Sequence, residues 1–229
     1  NFEKAYFEKE NVSHEFVGHP LLDSTSQSAI DFGVAVPTID SSVSMRIISS
    51  FKDVRGLGEE IYPKSNSILG EVSVGDLEKA LIYGFTICYA QGLSQLKVTS
   101  LEKGYYLDYR EICKIWRGGC IIRASLLEEF MNAFSRNSKL ENLIFDKEIS
   151  NMIKENESIA RKVSVYCINN KIPSIALNST ISYLDAITHT NLPMNLIQAQ
   201  RDCFGEHTFE RIDKPSIRKI VRSDIHFCS

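Results

Sequence analysis

The stretch from Gly75 to Lys97 constrains this chain more than any other. Leu77, Ala80, Leu81, Gly84, Phe85, Cys88, Ala90 and Leu93 recur at helical spacing over one broad face, the longest such pattern in the sequence. A helix apolar over so wide a face is stable when other elements cover it from several sides. The rest of the chain supplies them. A Ser/Thr-rich start at Ser24 leads to a short helix ended by Gly33, and Asp40 is an N-cap candidate for a helix through Val43, Ile47, Ile48 and Phe51 to Arg55. Gly56, Gly58, Pro63 and Gly70 mark Gly56 to Val74 as connection. Asp108, with Glu111 three residues on, opens a helix toward Trp116. At Gly118-Gly119 that helix meets a second one carrying Ile122, Leu126, Leu127 and Phe130, a joint where glycine permits close approach. Further helices are expected over Phe145 to Asn170, Ser174 to His189 and Asn195 to Phe204. No sustained alternation of period 2 and no internal repeat is present, so the expected fold is all-α.

Charge and composition narrow the function classes. A net charge of -3 and a pI near 6.0 give no general attraction to nucleic acid or anionic membrane. No apolar run approaches the roughly 20 residues of a membrane span, and Asn1 to Glu10, charged and aromatic, lacks the apolar core of a signal peptide. The expected location is cytoplasmic. The six cysteines form no C-x-x-C pair and sit mostly among apolar residues, the pattern of reduced core thiols. The five histidines are too scattered for metal ligation, so no metal site is expected.

Three strings carry a more specific signal: Tyr89-Ala-Gln-Gly92, Trp116-Arg-Gly-Gly-Cys-Ile-Ile-Arg123, and Leu192-Pro-Met-Asn-Leu-Ile-Gln-Ala-Gln-Arg-Asp-Cys-Phe-Gly-Glu-His-Thr-Phe-Glu-Arg211. In this order and at these separations they resemble the C-terminal helical domain of 6-phosphogluconate dehydrogenase. Weaker similarity at Phe32-Gly-Val34, Arg46, Ser50-Phe-Lys-Asp-Val-Arg55 and Ile181-Ser-Tyr-Leu-Asp185 extends it over roughly Ala29 to Lys214. The resemblance implies a multi-helix domain at 25–205, preceded by a lead-in at 1–24 and followed by an extended tail at 206–229. It implies a homodimer in which one subunit's tail reaches the other's site. It also implies a family reaction, the NADP-dependent oxidative decarboxylation of 6-phosphogluconate to ribulose 5-phosphate.

By the same resemblance Arg46 binds the substrate phosphate, and Arg201 and His207 of the tail join it across the dimer. The chemistry suits a dianion, because guanidinium forks hold phosphate oxygens through charge-assisted hydrogen bonds. Trp116, Arg117 and Arg123 keep a structural reading.

The sequence also departs from the family. It has no glycine-rich dinucleotide fingerprint and no strand-helix alternation, so no Rossmann domain and no cofactor site are expected in this chain; NADP belongs to an absent domain or a separate coenzyme-binding chain. The His-Asn pair beside the family's catalytic lysine is missing, and no catalytic residue is identified. Phe16 to Ser24 lacks the family's substrate-gripping lysine, with His19 as its one conceivable replacement. Losing one charged phosphate contact costs about 1.5–3 kcal/mol. The expectation is therefore a dimerising, sugar-phosphate-binding part of a dehydrogenase, catalytically incomplete as this chain. Two alternatives stand beside it. One is a stand-alone non-redox binding or regulatory module. The other is a cofactor-free enzyme acting on a phosphorylated sugar acid, with His207, Tyr89 or Asp185 as proton carrier.

Overall fold

A computed structural model describes residues 20–63, 68–119, 125–205, 209–210 and 218–219 of the chain. Its helices, in order, are α1 (Pro20–Asp31), α2 (Pro37–Ser50), α3 (Lys52–Ile61), α4 (Val74–Lys103), α5 (Tyr109–Gly119), α6 (Leu126–Arg136), α7 (Lys147–Asn169), α8 (Ile175–Ile187) and α9 (Asn195–Gly205), with a 3-10 turn at Leu143–Phe145. The all-α expectation holds. The one strand pairing among the described residues is a two-residue antiparallel contact, Phe209–Glu210 (β1) against Arg218–Lys219 (β2). The chain divides into two compact units, residues 1–184 and 185–229.

The first unit is built on α4, which runs 30 residues because both of its ends are chemically closed. Ser73 Oγ accepts the Asp76 N–H at 3.1 Å while Asp76 Oδ2 accepts the Ser73 N–H at 2.9 Å, a reciprocal capping box. At the other end Gly104 adopts φ +65°, a left-handed conformation that costs a residue with a Cβ, and its N–H returns to the Leu101 carbonyl. α7 lies against α4, and Lys162 of α7 reaches Asp76 Oδ2 at 2.8 Å, tying the two helices where α4 begins. α7 has its own anchor. Asp146 caps it by accepting the N–H groups of Glu148 and Ile149, and its carboxylate takes both arms of Arg136, at 2.6 and 3.0 Å.

Between these helices lies the core, where Tyr83, Ile87, Ala90, Leu127, Phe130, Ile149, Ile153 and Ala160 are all but inaccessible. Each large side chain among them contributes about 1.5–3 kcal/mol of apolar burial. The buried side of α4 differs from the expected one. Ala80, Ala90 and Leu93 are covered, but Val74, Leu77, Leu81 and Phe85 form a stripe open to solvent.

Three local expectations are corrected. The first helix after Gly33 begins at Pro37, three residues before Asp40, because proline's fixed φ already suits the first helical position. Gly56 to Ile61 is helix rather than connection. The backbone breaks at Phe51 (ψ 61°) and re-enters as α3, where Val54, Leu57 and Ile61 keep helical spacing and two glycines do not suffice to stop it. α3 buries none of its residues. Lastly, Gly118 and Gly119 lie at the end of the described part of α5, and a Cβ on either would meet nothing within 4 Å among the described residues, so no close approach is seen there. Trp116 does pack against the core, 6.3 Å from the Tyr89 ring, and Arg117 reaches Glu128 of α6 at 2.7 Å. Arg123 lies outside the described residues, as do His19, Cys120 and Cys228.

Candidate sugar-phosphate site

Arg46 sits half-buried on α2, in the first unit. Apolar packing covers its helix in part: Thr38 is the single fully buried residue of α2, Ile39, Val43 and Met45 are half-buried, and Ile47, Ile48 and Phe51 at its far end are 41–49% exposed. Its anchor to α4 is polar. Gln91 of α4, wholly inaccessible, accepts the Thr38 N–H on Oε1 at 3.0 Å and donates from Nε2 to Thr38 Oγ1 at 2.8 Å. Ser179 of α8 approaches the same hydroxyl at 3.5 Å. One helical turn further along α4, Gln95 Nε2 donates to the Thr25 carbonyl of α1 at 2.9 Å. Two amides on one face of α4 therefore grip α1 and α2.

The serines of α2 are turned inward upon their own helix. Ser41, Ser42 and Ser44 donate to the carbonyls four residues back, and Ser49 and Ser50 to those three back. Their protons are thus spent on the backbone, and the cationic group that α2 offers is Arg46. Near its end Arg55 Nη2 donates to the Ser49 carbonyl at 2.9 Å, bridging α2 to α3 across the Phe51 break.

The other sequence candidates lie on other elements. Arg201 is exposed on α9 in the second unit, next to buried Asp202. His207 lies outside the described residues. Tyr89 is half-buried, its ring edge-on to Phe130 at 5.3 Å. Asp185 is half-buried at the start of the second unit. Among the described residues no three His, Cys, Asp or Glu side chains gather as metal ligands, and no helix is long and apolar enough to cross a membrane.

Residues 23–226 match the family model for 6-phosphogluconate dehydrogenase, C-terminal domain. The chain belongs to the 6-phosphogluconate dehydrogenase family. It is 42% identical over 196 residues to the decarboxylating 6-phosphogluconate dehydrogenase of Lactococcus lactis, covering 84% of this chain and 42% of that protein. Against the NADP(+)-dependent decarboxylating enzyme of Bacillus subtilis it is 40% identical over 222 residues, covering 89% and 47%. A solved structure of the Plasmodium falciparum enzyme superposes with a TM-score of 0.79 at 38% identity, over 86% of this chain and 43% of that one. That enzyme is described in its apo form, with its cofactor NADP+ and with its substrate 6-phosphogluconate. The chain thus spans less than half the length of these relatives.

Set on the structure, the family strings divide by purpose. Trp116 and Arg117 pin α5 onto the core and α6. Gln91 of the Tyr89-to-Gly92 string is the latch on Thr38. Sequence reasoning passed over Thr38, Gln91 and Gln95. The signal was there: two amides four residues apart inside an apolar helix are buried together, and buried amides find partners.

Cysteine chemistry is divided too. Burial pushes the Cys113 thiol up to about 12 and raises that of Cys88, leaving both inert at neutral pH. Cys167 is buried and Cys203 exposed, so the core-thiol expectation fails at Cys203, where α9 turns the thiol outward.

Proposed function

We propose that this chain is the helical, dimerising and sugar-phosphate-binding part of a 6-phosphogluconate dehydrogenase-like protein. The whole protein's reaction would be the NADP-dependent oxidative decarboxylation of 6-phosphogluconate to ribulose 5-phosphate. The observation that carries the reading is Arg46 itself: a half-buried guanidinium on a helix tied to the core by buried hydrogen bonds, in a chain of this family. A guanidinium so held binds phosphate with little further loss of freedom. In this reading Arg201 and His207 of a second subunit complete the phosphate cage. In this reading NADP is bound by a part of the protein other than this helical one. Hydride chemistry would then come from that other part, and this chain's own share is to bind and orient the substrate.

The exposed apolar stripes support self-association. Val74, Leu77, Leu81 and Phe85 on α4, and Val54, Leu57 and Ile61 on α3, are each 45–80% exposed and fall at helical spacing, the kind of apolar stripe that a second copy covers. Calorimetric titration of the 229-residue chain with 6-phosphogluconate tests the binding claim. Heat with the wild type and an affinity about 10- to 100-fold weaker in Arg46→Ala is the expected result. A wild type that gives no heat, or an Arg46→Ala variant that binds equally well, removes the claim.

A further inference from the structure

The sugar-phosphate reading leaves unused a fully buried amide, Gln91, whose two hydrogen bonds both end on Thr38. A buried amide is not the cheapest way to join two helices. The Thr38 N–H is an orphan donor of the α2 N-terminus that has to be answered, but the second bond, to Thr38 Oγ1, is of the kind that apolar groups of the same shape replace at little cost, so that bond asks for a second explanation. A bidentate amide fixes direction, whereas an apolar contact permits sliding. The packing of α2 is partial: Ile39, Val43 and Met45 are half-buried and α1 lies beside it. Thr38 is its single buried residue, Ser179 adds one longer contact to the same hydroxyl, and the end of the helix beyond Arg46 is solvent-exposed. Arg46 lies eight residues beyond Thr38, about 12 Å along the helix axis, so a 10° tilt at the anchor moves it by about 2 Å. A displacement of that size is enough to lose a charge-assisted hydrogen bond to a phosphate oxygen.

We propose that Gln91 is a positioning residue for substrate: by latching Thr38 it sets where α2 presents Arg46 to the phosphate. This rests on the sugar-phosphate reading above. Gln91 acts through Arg46 and touches no ligand itself. Gln95, which holds the Thr25 carbonyl one turn away, keeps α1 in place, and since α1 packs against α2 it supports the same helix less directly.

The test uses the full 229-residue chain, 6-phosphogluconate as ligand, and two readouts. Gln91→Leu keeps the volume and removes both bonds, Thr38→Val removes one, and Thr38→Ser keeps both partners. Calorimetry well below the unfolding temperature is expected to show affinity weakened about tenfold in Gln91→Leu, less in Thr38→Val, and restored in Thr38→Ser. In an Arg46→Ala background Gln91→Leu is expected to add no further loss, which a general loosening of the fold would not reproduce. Amide hydrogen exchange without ligand is expected to accelerate along α2 and not along α7. Should Gln91→Leu fail to fold, Thr38→Val carries the same comparison.

If the wild type binds and Gln91→Leu or Thr38→Val binds as well, the inference is overturned and the sugar-phosphate reading survives. Equal loss with and without Arg46 overturns it too. If the wild type gives no heat, the sugar-phosphate reading falls and the positioning role with it. Unchanged exchange along α2 would overturn the latch on its own, whatever the ligand does.

Discussion

Asp76 and Asp146 show how much single carboxylates do in this unit. Asp76 is held at about 2, first by the Lys162 hydrogen bond and then by the Ser73 N–H, against an ordinary 3.8. Arg136 chiefly, with the α7 N–H groups, holds Asp146 below its usual range. A carboxyl whose folded value is depressed stabilises the fold fully above its unfolded value, and that stabilisation is lost as pH falls through the folded one. Asp76→Asn is therefore expected to be less stable than the wild type at neutral pH, with the difference closing as the pH is lowered from about 4 toward 2. Urea titrations at several pH values read this directly; a gap that stays constant into acid would contradict it. Removal of the Asp146 side chain as Ala is expected to cost about 1–3 kcal/mol, because it strips the α7 cap and leaves Arg136 without its partner. Cysteines give a further check. Cys203 is expected to react with a thiol reagent in the folded protein and Cys113 only after unfolding, so equal rates would refute the assignment of burial.

At the scale of elements, the sequence was most legible where apolar spacing and caps agreed. α7 and α9 begin and end close to where periodicity, Asn169-Asn170 and Pro193 put them, and α4 begins one residue from Gly75 but runs six residues past Lys97, to its left-handed cap at Gly104. It was least legible at α3, because Gly56, Gly58 and Pro63 together carry the composition of a loop. Val54, Leu57 and Ile61 keep helical spacing there, but all three are exposed, so no packing within the described chain accounts for the helix. The Gly118-Gly119 joint runs into residues 120–124, which lie outside the described part of the chain. Among the described residues the space around Gly118 is open, so Gly118→Ala is expected to stabilise by about 0.5–1 kcal/mol through reduced backbone freedom in the unfolded chain. A thermal scan showing destabilisation instead would mean that this glycine meets a neighbour in the assembled protein. As for the candidate site, Arg46 was visible through family strings, whereas Thr38 and Gln91 were not. Their importance lies in a contact 53 residues apart in sequence, which no local pattern encodes.

For the molecule as a whole, the two apolar stripes make a prediction about assembly. Sedimentation of the wild-type chain at micromolar concentration is expected to show a dimer, and Leu57→Glu with Leu81→Glu a monomer. A wild type that sediments as a monomer would defeat the dimer reading.

α3 adds a consequence. It is 10 residues long, contains two glycines, and draws no support from burial within the chain. A helix that short is marginal alone in water. If a second copy lies over Val54, Leu57 and Ile61, winding this segment and joining two subunits become a single equilibrium, and its helicity becomes a gauge of protein concentration. Far-UV ellipticity should then fall on dilution by the share of one short helix while the core around Phe130 stays intact, and subunit exchange should be paced by how often that helix unwinds.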